Sequence, residues 1–139
     1  MDPDKLNITE LIPQQTPMQM IDRLESVSEK GARGSLLVKE DNLFVENGRL
    51  SESAMVEFIA QTAAAFTGYN HNINQTPVKE GYIGAIKNLV IHDLPHTGTV
   101  VTSEIEIVNE IVGFTILTGK VFSADKLLAE CEMRILESR

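Results

Sequence analysis

After Gly81 the chain reads as strands, and in two of its stretches the apolar residues recur with a period of two. Ile105 and Ile107 alternate with Glu104 and Glu106, and Ala129, Cys131, Met133 and Ile135 alternate with Glu130, Glu132 and Arg134. Such alternation puts the apolar set on one face of a strand and the polar set on the other. Four strand-like segments follow one another, YIGAIKNLVIHD, TVVTSEIEIVNE, GFTILTGKVFSA and KLLAECEMRILE, of which the second and fourth carry the clear alternation. The turns between them are short, which predicts an antiparallel sheet. Between Ser51 and about Asn70 the alternation disappears. Ala54, Met55, Val56, Phe58, Ile59, Ala60, Ala63, Ala64, Ala65 and Phe66 cover most of a helical circumference, so this segment predicts one long buried helix rather than a surface helix. Ser51 is a suitable N-cap, and Glu52 suits the positive end of the helix dipole.

The first fifty residues are less regular. NITELIP reads as a short helical turn closed by Pro13, MQMIDRLESVSE as the start of a strand, and ARGSLLVKE as a second strand set off by Gly31. DNLFVENGRL reads as a loop, as does GYNHNINQTPVKEG, with a turn at Pro77. The inventory is therefore one helix and about five or six antiparallel strands. A sheet must cover its apolar face, and the one helix is the available cover. The simplest α+β architecture is a long sheet curved around a central helix, forming a single domain over 1–139.

A chain of 139 residues can bury a core without disulfides or metal. Its net charge of −8 argues against nucleic-acid phosphate and anionic membrane surfaces as partners. The single cysteine, Cys131, has no internal partner for a disulfide and alternates with apolar neighbours, which suits a core position in a reducing compartment. No apolar run approaches the ~18 residues of a membrane span, and the opening MDPDKLNITELIPQ lacks the basic and apolar regions of a signal peptide. A cytoplasmic location is the expectation.

Two residues of the helix carry the candidate chemistry. Glu57 and Gln61 are four positions apart and so share one face. A carboxylate in a helix core is costly unless paired or protonated, and burial favours the neutral form, which suits a general acid or base. The competing reading is structural: a paired carboxylate beside a satisfied core amide. His92 and His96 have metal-ligand spacing, but Pro95 places them on a turn, so no metal or other cofactor is expected. The glycines of GYIG lie in a strand pattern, where glycine marks a bulge or close approach rather than a phosphate loop.

Three stretches resemble the beta-hydroxyacyl-acyl-carrier-protein dehydratases of the hot-dog fold, and more closely a dehydratase-like branch linked to aryl-polyene and flexirubin-type pigments. LIPQQTPMQMIDRL is similar to the family's opening segment. NGRLSESAMVEFIAQTAAA is similar to its central helix with a Glu-x-x-x-Gln pair. GYIGAIKNLVI with LPHTGT is similar to the strand and turn that follow. The resemblance implies a hot-dog fold and action on 3-hydroxyacyl thioesters carried by acyl-carrier protein or CoA. It also implies a dimer, with itself or with a related hot-dog subunit, whose sites form between subunits. Glu57 would handle the hydroxyl and Gln61 would orient it. Carbonyl and substrate contacts would come from the amides near Ser51 and Ser53, from Tyr82, Ile83 and Gly84, and from the loop of Asn42, Leu43 and Phe44.

The departures are as informative. The resembled enzymes carry a catalytic histidine in the loop before the helix, where this chain has Asn42 or Leu43. Asparagine is no base at neutral pH, although its amide can hold a carbonyl or a water. Gln14 also stands where those enzymes usually have histidine, and Ser51-Glu52 replaces a proline-glycine step. Of His71, His92 and His96, His71 is the nearest local candidate for the missing base. Three functions remain open at this level: a dehydratase, a thioesterase in which Glu57 activates water, and a non-catalytic acyl binder or partner subunit. An acidic carrier protein would need a basic patch, and Arg23, Lys30, Arg33, Lys39, Arg49, Lys79 and Lys87 do not cluster in the sequence.

Overall fold

The computed structural model describes residues 2–76 and 81–137. Pro77 and Lys79 lie outside them. Two 3-10 turns, Pro3–Lys5 and Ile8–Glu10, open the chain. Strands β1 (Arg23–Val27) and β2 (Gly31–Leu37) follow, then a small hairpin of β3 (Val45–Glu46) and β4 (Arg49–Leu50). The long helix α1 spans Glu52–Asn74. The rest is strand: β5 (Gly81–Ile91), β6 (Val100–Ile111), β7 (Phe114–Ser123) and β8 (Lys126–Glu137).

Among these residues the sheet has six strands in the order β1-β2-β6-β7-β8-β5, each pair antiparallel. One long helix packed on a six-stranded antiparallel sheet is the hot-dog arrangement that the sequence led us to expect. The alternation decides which side faces the helix: Leu117, Val121, Ala129, Cys131 and Met133 are buried, and their charged neighbours in sequence are not. Phe58, Ile59 and Met55 enter from the helix side, fully buried. Thr62 ties the two layers together. Its hydroxyl bonds the Phe58 carbonyl at 2.8 Å and the hydroxyl of Ser103 on β6. Both polar groups are buried and partnered, as buried hydroxyls should be.

Local differences from the sequence reading have physical causes. The first strand begins at Arg23 rather than near Met18, because the backbone of Met18 and Met20 is bonded to the helix instead of to a neighbouring strand. DNLFVENGRL holds a hairpin turned at Asn47 and Gly48, whose φ values of 52° and 74° suit a tight turn. The helix runs four residues past Asn70 and ends where Gln75 turns left-handed at φ 55°. Between Ala54 and Asn70 it is buried on all but one stripe, where Val56, Glu57, Ala60, Ala64, Thr67 and Asn70 are half-buried.

Candidate functional site

Gln61 organises the site. Its side chain is fully buried, and its Oε1 accepts the Met20 N–H. Its Nε2 donates to the Met18 carbonyl at 2.9 Å and to Glu57 Oε1 at 3.0 Å. Both amide protons and one acceptor position are thus used. Two consequences follow. Met18 and Met20 are pinned against the helix, and the contacted oxygen of Glu57 is an acceptor with a fixed orientation.

Glu57 lies at one end of a cavity of about 520 Å³. The helix side is the half-buried stripe and its neighbours, from Glu57 through Ala60, Ala63, Ala64 and Thr67 to Asn70 and His71. The sheet side is Tyr82 and Ile83, Ile107, Leu117 and Ile135. Leu11, Pro13 and Gln14 close a third side, while Glu110 and Glu137 come from strand ends. Alanines make this space: their short side chains leave a gap between helix and sheet where leucines would fill it. Gly68 draws the opening segment close, since a Cβ there would overlap the Leu11 carbonyl. The fourteen residue steps from Glu57 to His71 span about 21 Å of helix axis. The cavity is therefore long, apolar in its middle and polar at its ends.

The expected site residues divide. Glu57, Tyr82 and Ile83 line this cavity, and Gln61 holds Glu57 from behind. Asn42, Leu43, Phe44, Ser51, Ser53 and Gly84 do not line it. Asn42 accepts the Phe44 N–H at 2.9 Å and approaches Met20 Sδ at 3.4 Å, so its amide shapes its own loop. Leu43 in the same loop is 61% exposed. Ser51 caps the helix through the Ala54 N–H and lies 3.2 Å from the Ser53 hydroxyl. Gly84 lies against Leu136.

The histidines also separate. His71 lines the cavity at the end far from Glu57, its Nδ1 against the Thr76 hydroxyl. Some 21 Å of helix keeps it from any reaction centre shared with Glu57. His92 is exposed and 3.1 Å from Glu130, and His96 is exposed on the turn beside Arg49. Burial pushes the Cys131 thiol up to about 11, so it is not a nucleophile at neutral pH. Among the described residues no cluster of three or more His, Cys, Asp or Glu could hold a metal ion, and no helix is long and apolar enough to cross a membrane. Sequence reasoning did not single out Ala60, Ala64, Thr67 and Asn70. Their signal is the three-and-four spacing of small and polar residues after Glu57.

The family model described as ApeP-like, ApeP dehydratase, matches residues 6–139. No curated protein matches the sequence. Among solved structures, the dehydratase heterocomplex ApeI:P from Xenorhabdus doucetiae superposes with a TM-score of 0.91 at 15% identity, covering 96% of this chain and 92% of that one. An uncharacterized protein from Pyrococcus horikoshii gives 0.71 at 13%, covering 100% and 96%. The E. coli PaaI protein from the phenylacetic acid degradation operon gives 0.63 at 10%, covering 81% and 80%. At such identities these likenesses concern the fold.

Proposed function

The chain belongs to the ApeP-like dehydratase family, and on that premise we propose that it acts on 3-hydroxyacyl thioesters in polyene or fatty-acid assembly. The observation that carries this reading is Glu57, fixed by Gln61 at the head of a long, largely apolar cavity. Dehydration removes an α-proton to a base, gives a proton to the departing hydroxyl, and polarises the thioester carbonyl. Glu57 is the acid that protonates the hydroxyl, Gln61 orients it, and the apolar middle of the cavity takes the acyl chain. Backbone amides around Tyr82 and Ile83, the expected carbonyl contacts that line this cavity, face the carbonyl.

The base comes from a second hot-dog subunit. Three observations support this: no histidine of this chain lies near Glu57, β5 ends the sheet with an open edge, and the structure with the same fold at a TM-score of 0.91 is a dehydratase heterocomplex. The loop of Asn42, Leu43 and Phe44, lying outside this chain's own cavity, serves the partner's site in the same reading. The thioester is carried by an acyl-carrier protein or CoA, in the cytoplasm.

The test is turnover of crotonyl and 3-hydroxyacyl thioesters by the wild type and Glu57→Gln, alone and with a candidate partner subunit. Enoyl absorbance and free thiol are followed together. Enoyl formation or hydration, lost in Glu57→Gln, supports the dehydratase. Thiol release moves the chain to the thioesterases. Silence in both channels with the partner present leaves a non-catalytic subunit.

A further inference from the structure

Between Glu57 and Phe66 the helix residues that line the cavity are all alanine: Ala60, Ala63 and Ala64. The side of α1 that packs into the core is built differently, with Met55, Phe58 and Ile59 filling their space. Ala60 and Ala64 stay half-buried, so open space reaches their methyl groups. Across the gap stand Ile107, Leu117 and Ile135 of the sheet. Neither these residues nor the alanines offer a side-chain hydrogen bond. Water is therefore weakly held between them, and a hydrocarbon chain fits. Protein interiors normally pack until such gaps close. Leucine at position 60 or 64 would close this one at little cost to the helix, since it forms helix nearly as well as alanine. Past Phe66 the stripe turns polar, at Thr67, Asn70 and His71.

We propose that Ala60 and Ala64 are specificity-determining positions that set the length of acyl chain this cavity accepts. This rests on the thioester reading of the cavity, in which Glu57 meets the 3-hydroxyl. Ala60, Ala64 and Thr67 lie three, seven and ten residues past Glu57. That places them about 4.5, about 10.5 and about 15 Å further along the helix axis. With C–C bonds of about 1.5 Å at near-tetrahedral angles, an extended chain advances about 1.3 Å per carbon. With carbon 3 beside Glu57, the chain passes Ala60 at about carbon 6 and Ala64 at about carbon 11, and reaches Thr67 at about carbon 14. The apolar run thus takes a chain of about fourteen carbons, and the two alanines keep its bore open. Leucine at either place stops the chain there. Helical side chains lean toward the N-terminus, so each stop falls slightly before its own position, at about carbon 5 and about carbon 10.

The test uses the full chain, alone and with the candidate partner subunit, and four probes: butanoyl-, octanoyl-, dodecanoyl- and hexadecanoyl-pantetheine. Dissociation constants are measured for the wild type, Ala60→Leu and Ala64→Leu, beside their thermal midpoints and their turnover of the matching 3-hydroxyacyl thioesters. Wild-type affinity should rise from butanoyl to dodecanoyl, by up to about fourfold per buried methylene, and gain little more at hexadecanoyl. Ala60→Leu should bind butanoyl as the wild type does and gain almost nothing from longer chains. Ala64→Leu should follow the wild type through octanoyl and bind dodecanoyl at least about tenfold more weakly. Neither midpoint should fall, because leucine fills space that is empty without ligand. A loss that includes butanoyl means that the space holds the carrier arm rather than the acyl chain, and overturns the assignment. So does the same stop in both variants, a wild type indifferent to length, or a lowered midpoint. A large gain at hexadecanoyl overturns the limit at Thr67. Two separate stops in binding without turnover keep the alanines and remove the dehydratase reading. Turnover with an unchanged length profile in both variants does the reverse. No binding to any thioester overturns both.

Discussion

Gln61 Nε2 lies 3.0 Å from Glu57 Oε1 and 2.9 Å from the Met18 carbonyl, so one buried amide joins the candidate acid to the opening segment of the chain. The position of Glu57 and the wall built by residues 11–20 therefore depend on the same side chain. Replacing Gln61 by leucine keeps the size but leaves the Met20 N–H and the Met18 carbonyl without partners. Each buried orphan costs about 1–3 kcal/mol. We expect Gln61→Leu to lose at least about 2 kcal/mol in urea unfolding. A loss below about 0.5 kcal/mol, the range of ordinary surface substitutions, would show that the opening segment is held by packing alone.

The sheet was legible in the sequence, because alternation and burial are the same pattern seen twice: Ala129, Cys131 and Met133 face the helix as their spacing requires. The Glu57–Gln61 pairing was legible for a similar reason, since four residues of helix bring two side chains together wherever the helix lies. Asn47-Gly48 was an available hairpin signal within a segment read as a loop. What spacing could not show depends on distant partners. Strand β1 starts late because Gln61, forty-one residues from Met20, takes that residue's N–H. Ala60 and Ala64 read as buried, yet they are half-buried and border the cavity. The clamps that hold the opening segment, Met18 on Gln61 and Leu11 on Gly68, join residues far apart in sequence and so left no local sign.

Gly68 supplies the second clamp. In an ordinary helix interior, alanine in place of glycine gains up to about 1 kcal/mol. Here the added Cβ would meet the Leu11 carbonyl oxygen, a backbone atom with little room to yield. The sign should therefore reverse. Gly68→Ala is expected to destabilise by about 1–3 kcal/mol and to speed exchange of amides in the opening segment. A stabilised Gly68→Ala variant would mean that Leu11 moves aside freely and that the wall of the cavity is soft.

Cys131 provides a pH test of the core. Its thiol is pushed from 9.0 to about 11 by burial, so the folded state disfavours the thiolate. A group whose folded value is raised adds stability that is fully present below its unfolded value and is lost as pH rises through the folded one. This contribution is thus intact at pH 8 and declines between 9.0 and about 11. A disulfide reagent at pH 8 should react with the native chain far more slowly than with the unfolded chain. Cys131→Ala should remove this part of the alkaline loss. Rapid labelling of the native chain at pH 8 would contradict the burial.

The other exposed feature is β5. It ends the six-stranded order and is bonded to β8 alone. Tyr82, Ile83, Ile86, Leu89 and Val90 along it are between 38% and 55% exposed. Natural edge strands are kept apart by brevity, charge or bulges. β5 has one lysine, Lys87, and two register shifts, but it is eleven residues long. So long an apolar edge in a chain of net charge −8 points to association through that edge. Light scattering after size exclusion should find the chain as a dimer, with itself or with a supplied hot-dog subunit. Ile86→Lys with Val90→Lys should abolish the dimer. Within the isolated chain both side chains already meet solvent, so charge there costs little, whereas a lysine buried across an interface without a partner is expensive. The double variant should therefore run as a folded monomer with an unchanged circular dichroism spectrum. A wild type that stays monomeric at every concentration, with and without the second subunit, would show that β5 is protected as it stands.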